Sequence, residues 1–169
     1  NNRGELTLAG ATKVESGQAG DKIAITNDPY NYFYTNTDAS LNVESEDVEV
    51  GNVQIERYGN NTNSGGVVLN ITAGSFGEIV EDGATKVEVE GNVTGGEFES
   101  DVREYLAADS AIVVKSVNGA LSYTVKAEAE IDSSAVKAEG TDNLYYEDET
   151  VAEKAAVAKI DDKYYDDLH

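Results

Sequence analysis

The chain has 169 residues and a formal net charge of −21, from 33 Asp and Glu against 12 Lys and Arg. A field of this sign repels phosphate backbones and anionic headgroups, so we expect neither nucleic acid nor a membrane surface as a partner. No apolar run approaches the roughly 18 residues of a membrane span, so no membrane insertion is expected. The chain lacks Cys and its single His is His169, which argues against disulfides, thiol chemistry and a Ser-His-Asp triad.

Short β-rich segments recur along the first two thirds of the chain. They lie at residues 6–8, 23–25, 41–43, 67–71, 87–89 and 112–114, with starts about 17 to 26 residues apart. This spacing is close to the length of one coil of a solenoid, in which each coil stacks on the one before. An all-β solenoid is therefore predicted. A β-sandwich of immunoglobulin type is the alternative, because short strands and Asn-Gly turns occur there too.

Two internal matches support stacked coils. The hexapeptide Gly-Ala-Thr-Lys-Val-Glu occurs at 10–15 and again at 83–88, and residues 71–76 resemble residues 93–98, which lie 22 residues later. The second match places Phe76 under Phe98. A stacked aromatic pair inside a solenoid buries a large apolar area, on the order of 2 kcal/mol for each fully buried ring.

The coil pattern stops after Phe98. Asp101, followed three residues later by Glu104, indicates a capping box that opens a short helix. Asn118-Gly119, between the apolar runs 112–117 and 120–125, predicts a two-residue hairpin turn. Such a hairpin would cover the exposed edge of the last coil.

The remaining chain is more acidic and less periodic. Residues 127–156 are rich in Ala, Glu, Asp and Ser and indicate a linker, although Leu144, Tyr145 and Tyr146 could dock on the body. Residues 157–169 read as strand, turn and strand, and predict the start of a following unit that is cut short. The predicted organisation is solenoid coils with a short terminal helix at 1–107, a capping hairpin at 108–126, the linker and this last piece.

Two segments resemble parts of a known group of proteins. Residues 93–106 contain Gly-Gly-x-Phe-x-Ser-Asp-Val-x-x-Tyr-Leu, and residues 157–168 contain Val-Ala-Lys-Ile, then Asp-Lys-x-Tyr, then Leu. Both are similar to stretches of large repetitive surface proteins of Firmicutes, where the first ends a run of coils and the second opens the next. The resemblance implies a right-handed parallel β-helix of the pectate-lyase type on a Gram-positive cell surface. Asp161 departs from the pattern, which has Gly there.

Aromatic and amide side chains suggest a ligand-binding surface. In the run 28–34, alternate tyrosines would share one face of a strand, and the loop 58–66 is polar and rich in Gly. Tyrosine rings with nearby amides can stack on sugar rings or bind a protein surface, so a host glycan or a host protein is the candidate partner. The alternative is that the tyrosines only cover a loop or an end coil. The candidate ligand-binding residues are Tyr30, Asn31, Tyr32, Tyr34, Tyr58 and Asn61.

Clustered carboxylates make calcium the one candidate cofactor. Hard oxygen ligands suit this ion, but neither the EF-hand loop nor the Gly-rich calcium repeat is present. Solvated acidic faces explain the same residues. The candidate calcium ligands are Glu44, Glu46, Asp47, Asp161 and Asp162.

Catalysis is not expected. A solenoid lyase or glycosidase would need a basic group beside clustered acids, for which Asp47, Glu49, Glu56 and Arg57 are the candidates. Outward-facing acids on strands explain them equally well. The sequence favours a non-enzymatic structural or adhesive segment, extracellular and attached to a bacterial cell surface or wall. A carbohydrate- or host-protein-binding module is the first alternative and a fragment of a polysaccharide lyase the second, and the oligomeric state is left open.

Overall fold

The computed structural model describes residues 5–14, 22–27, 39–57, 66–82 and 88–167. For residues 22–27, 56, 57 and 82 it describes the backbone alone. The described protein is mostly β-strand, as expected for an all-β chain, with one short α-helix and two 3-10 turns.

Three sheets receive the first eleven strands in a repeating order. Each successive set of three strands adds one strand to each sheet, and all neighbours among these eleven pair in parallel. The first sheet has the order β1-β4-β7-β10, the second begins β2-β5-β8-β11 and the third is β3-β6-β9. The strands are β1 (Glu5–Leu8), β2 (Lys13–Val14), β3 (Lys22–Asn27), β4 (Ala39–Val43), β5 (Glu49–Val50), β6 (Asn52–Arg57), β7 (Val67–Ile71), β8 (Ser75–Phe76), β9 (Ile79–Asp82), β10 (Val89–Val93) and β11 (Gly96–Phe98).

The repeat shortens along the chain. In the first sheet Thr7, Asn42, Asn70 and Asn92 occupy one row, and the steps between them are 35, 28 and 22 residues. The last step confirms the 22-residue match, because Val93 pairs with Ile71 and Phe98 pairs with Phe76. The match between 10–15 and 83–88 falls largely outside the described residues.

Strand side chains alternate between core and surface, as the pleat of a strand dictates. In β4 and β7 every second residue is buried, and Leu41 of β4 lies beside Leu69 of β7 with both fully enclosed. Phe76 and Phe98 stack with ring centroids 4.9 Å apart and planes at 12°. The predicted aromatic stack is therefore confirmed.

The last coil ends in a 3-10 turn (Arg103–Tyr105) where a short capped helix was expected. The capping box is wrong: the Asp101 carboxylate accepts a hydrogen bond from the Arg103 amide only two residues on, at 2.9 Å, and Val102 stands at the N-cap without a side-chain bond. The Tyr105 backbone fills the space above Gly91, where a Cβ would lie 2.4 Å from the Tyr105 Cα. Gly91 thus lets the turn close the end of the first sheet.

The predicted hairpin is present as β12 (Ser110–Val117) and β13 (Ala120–Ala127). Asn118 and Gly119 form its turn with φ of 51° and 89°, which matches the twist of the two strands. Strand β13 pairs antiparallel with β11 and so covers the edge of the parallel part of the second sheet.

The stretch 127–156 differs from an extended linker. It contains a 3-10 turn (Glu128–Glu130), β14 (Val136–Lys137), β15 (Leu144–Tyr146) and α1 (Glu149–Ala155), and it continues the second sheet beyond β13 in the order β12-β15-β14. Its apolar residues are too far apart in sequence to show a period, yet they pack on one core. The buried ones are Ala138, Leu144, Tyr146, Val151 and Ala152.

Residues 157–167 form the strand, turn and strand expected from the sequence. Strands β16 (Ala158–Ile160) and β17 (Lys163–Tyr165) pair antiparallel around Asp161 and Asp162, whose φ angles are 48° and 64°. Two aspartates thus make a left-handed turn without the Gly of the related pattern, because Asp tolerates this region better than most residues. Tyr164 is buried, and the Glu139 amide donates to its carbonyl at 2.8 Å. The unit boundaries at 107, 126 and 156 stay predictions.

Replacing Phe98 with Ala should lower the free energy of unfolding by about 3–5 kcal/mol, because it removes a fully buried ring and leaves a cavity beside Phe76. Urea denaturation followed by far-UV circular dichroism measures this change. Val117→Ala, on the exposed part of the hairpin, is the control and should change stability by less than about 0.5 kcal/mol. A loss below about 1 kcal/mol for Phe98→Ala would contradict the stacked packing.

Replacing Gly91 with Ala should destabilise the fold by about 1–3 kcal/mol, because its Cβ would collide with backbone atoms of Tyr105 that cannot move independently. The same denaturation experiment applies. Glu88→Ala changes an exposed side chain just before the same strand and should leave the midpoint almost unchanged. Equal midpoints for Gly91→Ala and the wild type would show that the turn does not sit against β10.

Candidate binding surface

The predicted tyrosine surface falls outside the described part of the chain. The structure does not describe residues 28–38, which include Tyr30, Asn31, Tyr32 and Tyr34. It also does not describe residues 58–65, which make up most of the predicted loop 58–66 and include Tyr58 and Asn61. These six residues therefore stay a prediction from sequence alone.

The predicted calcium ligands lie in two exposed turns. Glu44, Glu46 and Asp47 belong to the turn between β4 and β5, where the Ser45 hydroxyl accepts a hydrogen bond from the Asp47 amide at 3.3 Å. Asp161 and Asp162 form the turn of the β16–β17 hairpin. Across residues 5–14, 22–27, 39–57, 66–82 and 88–167, no three acidic or His side chains converge as metal ligands. Calcium binding stays a prediction.

The candidates for lyase chemistry are only partly described. Glu49 forms an exposed ion pair with Lys13, at 3.2 Å between Oε2 and Nζ, and Asp47 is exposed on the preceding turn. The side chains of Glu56 and Arg57 lie outside the described atoms. For these four candidates the described ion pairs show only the contact of Glu49 with Lys13, and the lyase hypothesis stays a prediction.

A groove lies between the β12–β13 hairpin and the corners of the last two coils. This hairpin groove has a volume of about 690 Å³. Val117, Leu121 and Tyr123 line the hairpin side, and the coil side includes exposed carboxylates at both corners. Those carboxylates belong to Glu78, Glu97 and Glu99.

The hairpin wall is anchored by the following helix. Lys154 of α1 donates hydrogen bonds to the Ser116 hydroxyl at 2.9 Å and to the Gly119 carbonyl at 2.6 Å. Asp148 caps the helix by accepting from the Val151 amide at 2.8 Å, and Val151 is buried. The tip of the hairpin is therefore tied to the core through α1.

A second groove lies next to the hairpin groove. This second groove has a volume of about 430 Å³ and shares Ser75, Phe76 and Glu99 with the first. At its corner the Asn52 side chain accepts a hydrogen bond from the Glu78 amide at 2.9 Å, which fixes the loop after β8.

Arg103 joins the end of the coils to the last hairpin. Its guanidinium pairs with Asp101 at 2.7 Å and also bonds the Asp166 carboxylate. Burial opposes the charge, but the two carboxylates outweigh it and raise the pKa of Arg103. This ion-pair cluster holds residue 166 against the 3-10 turn at 103–105. The sequence pattern does not signal the contact of Arg103 with Asp166, because the two residues are 63 positions apart.

Tyr146 places a hydroxyl in the core beside this cluster. The residue is 1% exposed and its hydroxyl makes no hydrogen bond to any described residue. Burial, with a smaller contribution from the negative charge of Asp166, raises the pKa of Tyr146 to about 12. The phenol is thus held in its neutral form up to alkaline pH.

A ladder of asparagines on the first sheet was not predicted. Asn92 donates to the Asn70 side chain at 3.1 Å, and Asn70 donates to the Asn42 side chain at 2.7 Å. Asn42 in turn reaches Thr7 and Glu5. In the sequence Asn70 and Asn92 only begin N-x-Thr triplets. The signal that could have found the ladder is the 22-residue register, which aligns these two residues.

Comparison with known proteins found no match: no protein-family model, no curated protein and no solved structure corresponds to the chain. Among the described residues, none of the helical segments has the length and apolar character needed to cross a membrane. The site must therefore be interpreted from its own geometry.

Replacing Tyr146 with Phe should reduce the loss of stability at high pH. Because burial raises the pKa of Tyr146 above the ordinary value of 10, the phenol ionises more easily in the unfolded chain than in the folded one. The free energy of unfolding therefore does not depend on this group below pH 10 and falls as pH rises toward 12. The wild type should lose on the order of 1–2 kcal/mol more than the variant between pH 9 and about 12. Urea denaturation at both pH values measures the difference.

Tyr165→Phe, on the neighbouring strand β17, is the control and should follow the wild type. At neutral pH the Tyr146→Phe variant should be as stable as the wild type or more stable, because the substitution removes a buried hydroxyl that has no partner among the described residues. A destabilisation above about 1 kcal/mol at pH 7 would indicate that the hydroxyl is hydrogen-bonded.

Proposed function

We propose that this chain is a non-catalytic structural or adhesive segment of an extracellular bacterial protein, displayed on a Gram-positive cell surface or wall. The observation that carries the proposal is the repetition of the same side chain at the same position of successive strands. Asn42, Asn70 and Asn92 form one such row, and Phe76 and Phe98 form another. In such rows each turn of the chain supplies the hydrogen-bonding or packing partner of the next turn, which favours a long and rigid stack.

The finer architecture in this proposal is a right-handed parallel β-helix for the coils. Strands enter three sheets in strict rotation and pair in parallel, so each turn of chain lies on the preceding one. An immunoglobulin-type sandwich is built from antiparallel strands and would not give these registers. The antiparallel part begins only at β13, where the hairpin closes the stack.

Packing and charge both fit a display role. Inward positions such as Val43, Ile71 and Val93 are aliphatic and fully enclosed. Many described acidic side chains are exposed, and a net charge of −21 keeps such a surface solvated and resists association with itself. Length and solubility are the properties that a surface segment needs.

The surface location draws support from the two segments that resemble repetitive surface proteins of Firmicutes. Residues 93–106 contain the end of the coil stack, and residues 157–167 contain a hairpin that packs on the preceding strands. These are the places at which the related pattern ends one run of coils and begins another. The adhesive part of the proposal, with a host glycan or protein as ligand, rests on Tyr30, Tyr32 and Tyr34 and thus on sequence.

Labelling of intact cells tests the proposed location. Antibodies raised against the purified chain should stain intact cells of the producing bacterium as strongly as permeabilised ones, because an extracellular segment is accessible without lysis. An antibody against a ribosomal protein is the control and should stain only permeabilised cells. Staining by the first antibody that appears only after lysis would place the protein inside the cell and overturn the proposal.

A further inference from the structure

We infer that the hairpin groove docks an extended basic peptide segment, with Lys or Arg side chains on the coil side and an apolar side chain on the hairpin side. This interaction goes beyond the structural role proposed above. It concerns described residues only and does not involve the tyrosines of 28–34. Three properties of the groove carry it: its walls, its apolar surface and its charge.

The walls give the groove the shape of an open channel. One wall is the end of the β12–β13 hairpin, which extends past the last residue of β11 because pairing between the strands stops at Phe98 and Tyr123. The other consists of the coil corners after β8 and β11. Hydrogen bonds from the Glu99 amide to Phe76 and Gly77 hold these corners in place. Since Lys154 also anchors the hairpin tip, the channel exists before a ligand binds.

The hairpin wall exposes apolar surface that the fold itself does not cover. Val117 is 52% exposed on one face of the hairpin, and Leu121 and Tyr123 are half-buried on the other face. A partner's apolar side chain would remove this surface from water, at about 25 cal/mol for each Å² buried. An extended chain suits the groove better than a globular partner, because the opening lies between two narrow walls.

The charge of the opposite wall selects the sign of the ligand. Glu78, Glu97 and Glu99 are exposed, and none of them forms an ion pair with a Lys or Arg in the described part of the chain. Elsewhere carboxylates do find such partners, as Glu49 does in Lys13 and Glu139 in Lys163. Three uncompensated carboxylates favour a cationic occupant and disfavour acidic peptides.

Lys and Arg also match the mixed character of the groove. Their alkyl stems cover apolar surface while the charged ends stay in water near the carboxylates. A neutral sugar would contact the apolar wall without using the charges, and an anionic polymer would be repelled by them. A short peptide that alternates basic and apolar residues combines both contacts.

Fluorescence anisotropy with a labelled peptide tests the inference. The probe is Lys-Val-Arg-Leu-Lys-Ser carrying fluorescein, and its counterpart has Glu at each basic position. At about 0.15 M salt, where the screening length is about 8 Å, the wild-type chain should bind the basic probe saturably and leave the acidic one free. The triple variant Glu78→Gln, Glu97→Gln and Glu99→Gln should bind the basic probe about tenfold more weakly.

A matched variant separates the groove from the general charge of the protein. Glu88→Gln, Glu130→Gln and Glu147→Gln remove the same charge from exposed positions outside the groove, and should weaken binding less than about twofold. Val117→Ser tests the apolar wall at an exposed position and should weaken binding about threefold. Thermal melting of each variant confirms that the fold is retained.

Three results would overturn the inference. The wild type could fail to bind the basic probe saturably, which would leave the groove without this ligand. Equal weakening by the two triple variants would show attraction by net charge alone. Binding of the acidic probe, or of a neutral oligosaccharide that depends on Val117, would assign the groove to a different occupant.

Discussion

One row of inward side chains connects the two halves of the molecule. It crosses all eight strands of the second sheet, and successive members are paired neighbours, so each side chain packs on the next. The stacked rings of Phe76 and Phe98 lie at the centre of the row, where pairing changes from parallel to antiparallel. In spatial order the members are Val14, Val50, Phe76, Phe98, Tyr123, Val114, Tyr146 and Val136.

This row explains how the acidic C-terminal quarter joins the rest of the fold. Many of its apolar residues are alanines, but Leu144 and Tyr146 enter the sheet beside β12 and are buried there in the common core. Helix α1 then packs behind the same strands, and Arg103 ties the last hairpin to the turn that closes the first sheet. The described C-terminal residues thus share one hydrophobic core with the strands before them.

The same geometry produces the surface on which binding is inferred. Since β13 pairs with only three residues of β11, the rest of the hairpin extends beyond the coils and creates a channel beside them. The wall facing it carries the outward glutamates that keep a strongly acidic scaffold solvated. A structural scaffold and a binding groove therefore arise from one feature, the change of strand direction at the end of the stack. Charge sets which ligands that groove accepts.

The sequence by itself determined the local features: the β-rich composition, the Asn118-Gly119 turn, the 22-residue register and the pairing of Phe76 with Phe98. Each depends on residues whose conformational preferences or repetition are visible in one dimension. Other features arise only when the chain folds. They are the packing of residues 127–156, the contact of Arg103 with Asp166 and the hairpin groove. Each depends on residues that are distant in sequence and meet because the second sheet continues past β11, and no local preference encodes that continuation.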